Sequence, residues 1–329
     1  MITRRRVVIA LGAGALASFD SFAQAQTRPR LIGWLWQGDS ADPTYSQYQD
    51  AFKVGLRELG YAEGKHYLIE TRSAQYDKSR LPALAAELVA LKVDLIITSG
   101  TPSALAASKA TRELPILTTT SADPVGVGLA ASLSHPRGNV TGLSNLGAEL
   151  YAKRLDLLRQ VVPTMRRAGF IFDPDDDQNQ LSLRRFEAAC DKLKLKFVRA
   201  PVRNANEMVA AFQTLSREKA GGLVVTNDAT VQKLREMIIE QAAKSRLAAV
   251  YSNSAFAEAG GFTSYAANTA DIYRRAAAYA DKIFKGTKPG DLPIEQPTRF
   301  EFVLNMKTAR ALGLKILNSI LVQVTKVIE

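Results

Sequence analysis

From Leu31 onward the chain alternates short unbroken apolar runs with longer stretches whose apolar residues recur every three or four positions. A short apolar run marks a strand buried on both faces, and a three-to-four spacing marks a helix with one buried stripe. Leu31–Trp36, Asp94–Thr98 and Pro115–Leu117 read as buried strands, and Tyr67–Thr71 alternates like a half-buried one. Tyr45–Leu59 carries Tyr48, Phe52, Leu56 and Leu59 at helical spacing, with Gly60 placed to close it in a left-handed conformation. Leu81–Leu91 and Ser103–Ala110 are the next helices. After Asn139–Gly142 the pattern begins again. Helices are predicted at Leu150–Val161, Leu181–Leu193, Glu207–Arg217 and Val231–Ala243, separated by strands at Ala168–Phe172, Lys196–Arg199, Gly222–Thr226 and Ala248–Tyr251.

Strands alternating with helices specify βαβ units, hence parallel sheets with helices on both faces. Two such units of about 115 residues each predict two similar, doubly wound α/β lobes. The remainder holds a helix at Tyr273–Phe284, a Gly/Pro-rich turn at Gly286–Pro293, a strand at Phe300–Leu304 and a terminal apolar stretch. It is too short for a third domain, so it is expected to fold back onto both lobes. Crossings near Gly142–Gly147, Tyr265–Asn268 and Pro297–Glu301 would make a multi-segment hinge. The lobes are then 27–143 with 267–298, and 144–266 with 299–329.

Composition places the chain among globular proteins with real cores, at 47% hydrophobic and 23% charged residues. The net charge of +11 would suit nucleic acid, an anionic surface or an acidic ligand. Its basic residues are scattered through helical segments, with no dense arm and no interleaved aromatics, so they read as a solvated surface and no nucleic-acid partner is expected. Met1–Ala25 has a basic start at Arg4–Arg6, a small-and-apolar run from Val7 to Ala17 and a small-x-small exit at Ala23–Ala25. Those are the parts of a secretory signal peptide cleaved after Ala25. The apolar run is well short of the ~20 residues that span a bilayer. Thr3-Arg4-Arg5 also fits a twin-arginine signal, and a general secretory signal with a spare arginine fits as well. Either route leads outside the cytoplasm, to the periplasm. With Cys190 as the single cysteine, no internal disulfide is available.

Parallel sheets bind ligands at the carboxyl ends of their strands. Ser99-Gly100-Thr101-Pro102-Ser103 follows a buried strand there, with Thr101 suited to cap the helix, Pro102 to its first turn and Gly100 to a close backbone approach. A helix start of this kind offers free N–H groups to a carboxylate; an ordinary capped helix accounts for the same residues. Ser121 and Asp123 follow the next strand, where Asp123 suits a ligand amine or equally the turn at Pro124. Asn227 and Asp228, and Tyr251 and Asn253, hold the equivalent places in the second unit. Trp36 and Gln37 end the first strand. Trp36, Tyr251 and Tyr265 are positioned either to stack on a flat ligand or to pack in the hinge.

Signatures of catalysis and of metals are absent. His66 and His135 lie far apart with no ligating neighbours. Gly60–His66 is one residue short of a phosphate loop and follows a helix. Asp173–Asp177 has Gln178 and Arg184 where a calcium loop needs Gly and Glu, and reads as a solvated loop capping the next helix. No catalytic residue, metal or cofactor is expected. An exported α/β enzyme or ligand sensor is the alternative, with no nucleophile–base pair to support it. A ligand-responsive DNA regulator needs about 60 residues of helix-turn-helix before the first strand, and the first strand opens at Leu31.

Several motifs together resemble a known family: Gly55–Tyr61 with Glu63–Lys65, Leu81–Val89, Asp123–Gly126 with Gly128-Leu129, Gly138–Gly142, Ala259–Gly261 with Ser264-Tyr265, and Leu292–Thr298. They are similar to the substrate-binding proteins of ABC importers, in the group of tryptophan- and tyrosine-type binders. The resemblance spans nearly all of the chain after the signal. It implies the periplasmic binding protein type I fold, a monomer whose lobes close over a small molecule and which partners a membrane permease and its ATPase. The family's strand-end loops map onto Ser99–Ser103, Ser121–Asp123, Asn227–Asp228 and Tyr251–Asn253. The chain departs from the pattern at Pro136-Arg137-Gly138 and at the acidic Asp173–Asp177.

Overall fold

The computed structural model describes residues 28–147 and 149–329; the signal peptide read at Met1–Ala25 lies outside them. The first α/β unit runs β1 (Arg30–Trp36), α1 (Pro43–Glu58), β2 (Tyr67–Ser73), α2 (Leu81–Ala90), β3 (Leu95–Thr98), α3 (Gly100–Ala110), β4 (Ile116–Ser121) and β5 (Val140–Ser144). Its five strands are all parallel, in the order β2-β1-β3-β4-β5. The second unit runs α4 (Tyr151–Val161), β6 (Arg167–Phe172), α5 (Asp177–Lys192), β7 (Lys196–Pro201), α6 (Ala205–Arg217), β8 (Gly222–Val225), α7 (Ala229–Lys233), α8 (Arg235–Lys244), β9 (Ala249–Tyr251), α9 (Ser254–Glu258) and β10 (Thr263–Ala267). The chain then returns to the first sheet as α10 (Thr269–Phe284) and finishes on the second as β11 (Phe300–Asn305), α11 (Met306–Ala311), α12 (Asn318–Leu321) and β12 (Lys326–Ile328).

The second sheet repeats the order of the first as β7-β6-β8-β9-β10 and extends it with β11 and β12. It is not wholly parallel, because β11 runs antiparallel to β10. Each sheet is covered on both faces, as alternation of the strand side chains requires. Trp34, Ile97 and Leu117 pack against Phe52, Leu56, Tyr273 and Ala277 of α1 and α10, while Leu35, Ile96 and Ile116 pack against Leu84, Leu88, Ala104 and Ala107 of α2 and α3. The second sheet does the same, with Phe170 and Val224 facing α4 and α5, and Ile171 and Val225 facing α6, α8 and α9. The helix α10 lies so close to α1 that a Cβ on Gly55 would sit 2.3 Å from the Arg274 carbonyl oxygen.

The structure differs from the sequence reading in several places. β5 and β10 are strands that the pattern did not mark, since Gly142 and Ser264 interrupt their apolar runs. At Gly142, φ is +134° and a Cβ would meet the Thr118 carbonyl oxygen at 2.0 Å, so only glycine fits this parallel pair. The predicted helix Val231–Ala243 is two helices, broken at Leu234. The terminal apolar stretch closes the second core with Leu312, Leu314, Ile316 and Ile320 and ends in an edge strand.

Candidate ligand-binding site

In a sheet ordered 2-1-3-4-5, the loops after strands 1 and 3 leave in opposite directions and open a crevice between them. Both sheets have such a point, and the two face each other. In the first unit, loops after β1 and β3 are tied by Gln37 N–H donating to Ser99 Oγ at 3.1 Å. In the second, loops after β6 and β8 are tied in the same way, with Asp173 N–H donating to Asp228 Oδ2 at 3.1 Å. Between these two points lies a cleft enclosing about 110 Å³ open to the centres of water molecules.

One wall is aromatic. Trp36, Tyr48 and Tyr273 line the cleft. Tyr48 stacks on Tyr273 at 5.1 Å and 14°, Tyr273 stacks on Trp34 beneath it at 5.4 Å, and Trp36 meets Tyr48 edge-on at 6.2 Å. The stack fixes the ring planes before any ligand arrives. Its neighbour is the start of α3. The Gly100 N–H donates to Thr120 Oγ1 at 2.8 Å, and Pro102 has no N–H, so Thr101 carries the remaining first-turn donor that no intrahelical carbonyl can reach. Gly100 has φ +79°, and a Cβ there would lie 2.8 Å from the Gln37 amide nitrogen that covers it.

The opposite wall is polar and acidic. Asp228 caps α7 through Val231 N–H at 2.8 Å, and its other oxygen accepts from Asn179 Nδ2 at 2.9 Å and from Thr226 Oγ1 at 2.5 Å. Asp176 caps α5 through Gln178 N–H at 3.0 Å. Burial, with the charge of Asp228 beside it, pushes the Asp176 carboxyl up to about 7. Asn227 accepts from the Gln232 amide, and Asn253 caps α9 through Ala255 N–H at 2.9 Å. Two ion pairs join the two units. Arg235 of the second unit lies 3.6 Å from Asp42 of the first. Lys78 of the first donates to the Asp175 carbonyl at 2.6 Å and lies 3.5 Å from Asp173 Oδ2.

Of the positions read from sequence, Trp36, Gln37, Ser99, Gly100, Asn227, Asp228 and Asn253 line this cleft. The remaining six do not. Thr101 is the second residue of α3 and not its cap, and its hydroxyl is buried on Ser121 Oγ at 2.8 Å. Ser103 faces inward and is fully buried. Asp123 serves its own turn, accepting from Gly126 N–H at 2.8 Å. Tyr251 points to the far face of its sheet and stacks on Phe256 at 4.8 Å. Tyr265 stacks flat on Phe300 at 6.0 Å, across the β10–β11 pair. For Ser121, Tyr251 and Tyr265 the reason is strand alternation, which turns them toward a helix layer, while Thr101 and Ser103 lie on the buried side of α3.

The sequence reading also missed residues. Tyr48 and Tyr273 sit on helices at core spacing, and nothing in a periodicity separates a core ring from a cleft ring. Asp176 had a usable signal, since the loop after β6 is the counterpart of the one after β1. The solvated-loop reading of Asp173–Asp177 is overturned, because Asp173 and Asp176 are 4% and 6% exposed. Capping of the following helix is seen as described.

The sequence model of the family described as ABC transporter substrate binding protein matches residues 37–328. The chain belongs to that family. A tyrosine-binding protein of Clostridioides difficile (strain R20291) is 25% identical over 277 residues, 84% of this chain and 79% of the relative. The crystal structure of an ABC domain from Streptococcus pneumonia in complex with L-Trp is 26% identical, with a TM-score of 0.81 over 90% of this chain and 100% of that one. A conserved domain protein from Vibrio cholerae superposes with a TM-score of 0.85 at 24% identity, over 91% of this chain and 100% of that one. The type I periplasmic binding protein fold follows, as two α/β lobes. No described helix is long and apolar enough to cross a membrane.

Proposed function

We propose that the protein is the extracytoplasmic solute-capturing component of an ABC importer, taking a small carboxylate-bearing ligand between its lobes and delivering it to a membrane permease driven by its ATPase. An aromatic amino acid is the favoured ligand. The observation that carries this reading is the cleft itself: the switch points of both sheets face one another, with stacked rings and a helix start on one wall and acidic caps on the other. The ligands of the relatives, tyrosine and L-Trp, agree with that chemistry. In this reading the lobes are 27–143 with 267–298, and 144–266 with 299–329. They hinge about the three crossings and close on ligand, the mechanism such architectures use. The protein works as a monomer in the periplasm after cleavage at Ala25, without a nucleic-acid partner. Ligand contacts fall to Trp36, Gln37, Ser99, Gly100, Asn227, Asp228 and Asn253, joined by Tyr48 and Tyr273.

Titration calorimetry with L-tyrosine, L-tryptophan, benzoate and ribose tests the ligand class, and small-angle scattering with and without ligand tests the motion. The expected result is tightest binding of an aromatic amino acid and a smaller radius of gyration at saturation. Tightest binding of ribose would overturn the ligand class. Trp36→Ala is expected to weaken the aromatic ligand by about 1 kcal/mol through loss of one ring contact, read as a several-fold rise in Kd.

A further inference from the structure

The acidic wall contains three carboxylates whose hydrogen-bonding capacity is unequally spent. Asp228 accepts from four donors: Val231 N–H, Asp173 N–H, Asn179 Nδ2 and Thr226 Oγ1. Asp173 accepts from Asp175 N–H and Thr230 Oγ1 and has Lys78 at 3.5 Å. Asp176 accepts from Gln178 N–H through Oδ1 alone, and Oδ2 has no partner among the described residues. The residue is 6% exposed and lines the cleft. A largely buried carboxylate with one oxygen unspent at a cleft wall is a ready acceptor for a cation that enters the cleft.

Lys78 favours the ionised form of Asp176, but burial and the charge of Asp228 outweigh it. Asp228 comes from the loop after β8, and Asp173 and Asp175 come from its own loop. From the first lobe, Tyr76, Asp77 and Lys78 border the same recess, and Arg203 borders it from the loop after β7. Lys78 is engaged by the Asp175 carbonyl and Asp173, and Arg203 pairs with Asp175 and Glu207. Asp176 shares the lining of the cleft with Gly100 and Pro102 of the α3 start.

We propose that Asp176 is the receptor for a primary ammonium group on the ligand, and that the ammonium displaces a proton from this carboxyl as it binds. The inference rests on the reading of the cleft as a small-molecule site and narrows it from aromatic acids in general to amino acids. Its carboxyl, pushed up to about 7 by burial and by Asp228, is then largely protonated at pH 6 in the empty protein and ionised in the complex. The bound ammonium favours the ionised form, so binding tightens as pH rises to about 8 and weakens as it falls.

Calorimetry of the intact chain tests this with the L-amino acids and with each matching acid lacking the amine, such as 3-(4-hydroxyphenyl)propionate against L-tyrosine. Measurements at pH 6 in two buffers of different ionisation enthalpy read proton release directly. The expected result is release of about one proton per ligand at pH 6 and almost none at pH 8.5, with affinity about tenfold weaker at pH 6 than at pH 8. Asp176→Asn, which keeps a good helix cap, is expected to abolish the release and erase the preference for the amine. An independent readout needs no ligand. The raised carboxyl destabilises the empty fold above its pKa and not below its unfolded value, so Asp176→Asn raises the melting midpoint at pH 8 and leaves it unchanged at pH 4. An aliphatic amino acid that binds best with proton release would uphold Asp176 and reject the aromatic reading. An amine-free acid binding as tightly as its amino acid, with no proton released, overturns the proposal, as does a panel in which no amine binds.

Discussion

Asp228→Ala is expected to lower the stability of the fold by about 3 kcal/mol, the cost of leaving several buried donors without an acceptor, and to abolish ligand binding. The carboxylate is 8% exposed. Its removal strands the Asp173 and Val231 N–H groups, the Asn179 amide and the Thr226 hydroxyl together. Those donors come from the loops after β6 and β8, from α5 and from α7, so the second lobe's crevice loses its shape when the shared acceptor goes. Asp228→Asn restores the volume and one acceptor oxygen but turns two N–H groups toward donors, and it recovers only part of the loss. Urea unfolding followed by circular dichroism checks the first claim and calorimetry the second. An alanine variant as stable as the natural chain would mean that the four bonds carry no net energy.

Arg154→Ala is expected to be as damaging for stability, also about 3 kcal/mol, and to act on the segments that cross between the two sheets. Arg154 is 1% exposed and has no carboxylate partner among the described residues. Its Nε donates to the Tyr265 carbonyl at 2.8 Å and its Nη1 to the Gly147 carbonyl at 3.2 Å, with the guanidinium 4.9 Å from the centre of the Tyr151 ring. Gly147 lies where the chain first leaves β5, and Tyr265 lies on β10 just before it returns. One side chain therefore ties two of the crossings between the sheets. Burial lowers its pKa to about 10, so it stays charged at neutral pH and pays for that burial throughout the physiological range. Arg154→Met keeps much of the volume and removes the buried charge, and is expected to be less destabilising than alanine while leaving both carbonyls unpaired. Scattering from either variant should show a broader distribution of sizes without ligand. An unchanged scattering curve for Arg154→Ala would place the rigidity of the hinge elsewhere.

The architecture was legible in the sequence because a parallel α/β sheet writes itself in hydrophobic order. Leu95–Ile97 and Leu223–Val225 are buried on both faces and therefore apolar, and α1 must present Phe52 and Leu56 on one stripe. The cleft-lining ends of β1, β3 and β8 were legible for the same reason, since strand ends follow from strands. Which side chain at each end faces the cleft was decided only by tertiary structure. Tyr251 and Asn253 are only two positions apart, yet one lies under α9 and the other on the cleft wall, because the strand ends at Tyr251 and the chain turns into α9 with Asn253 as its cap. Tyr48 and Tyr273 became cleft residues only when α10 crossed back to pack beside α1, a contact spanning more than two hundred positions. Asp176 looked solvated because a run of aspartates is usually wet. Residues of both units packed around it removed the water, and burial is a property of the assembled fold that no local pattern of residues encodes.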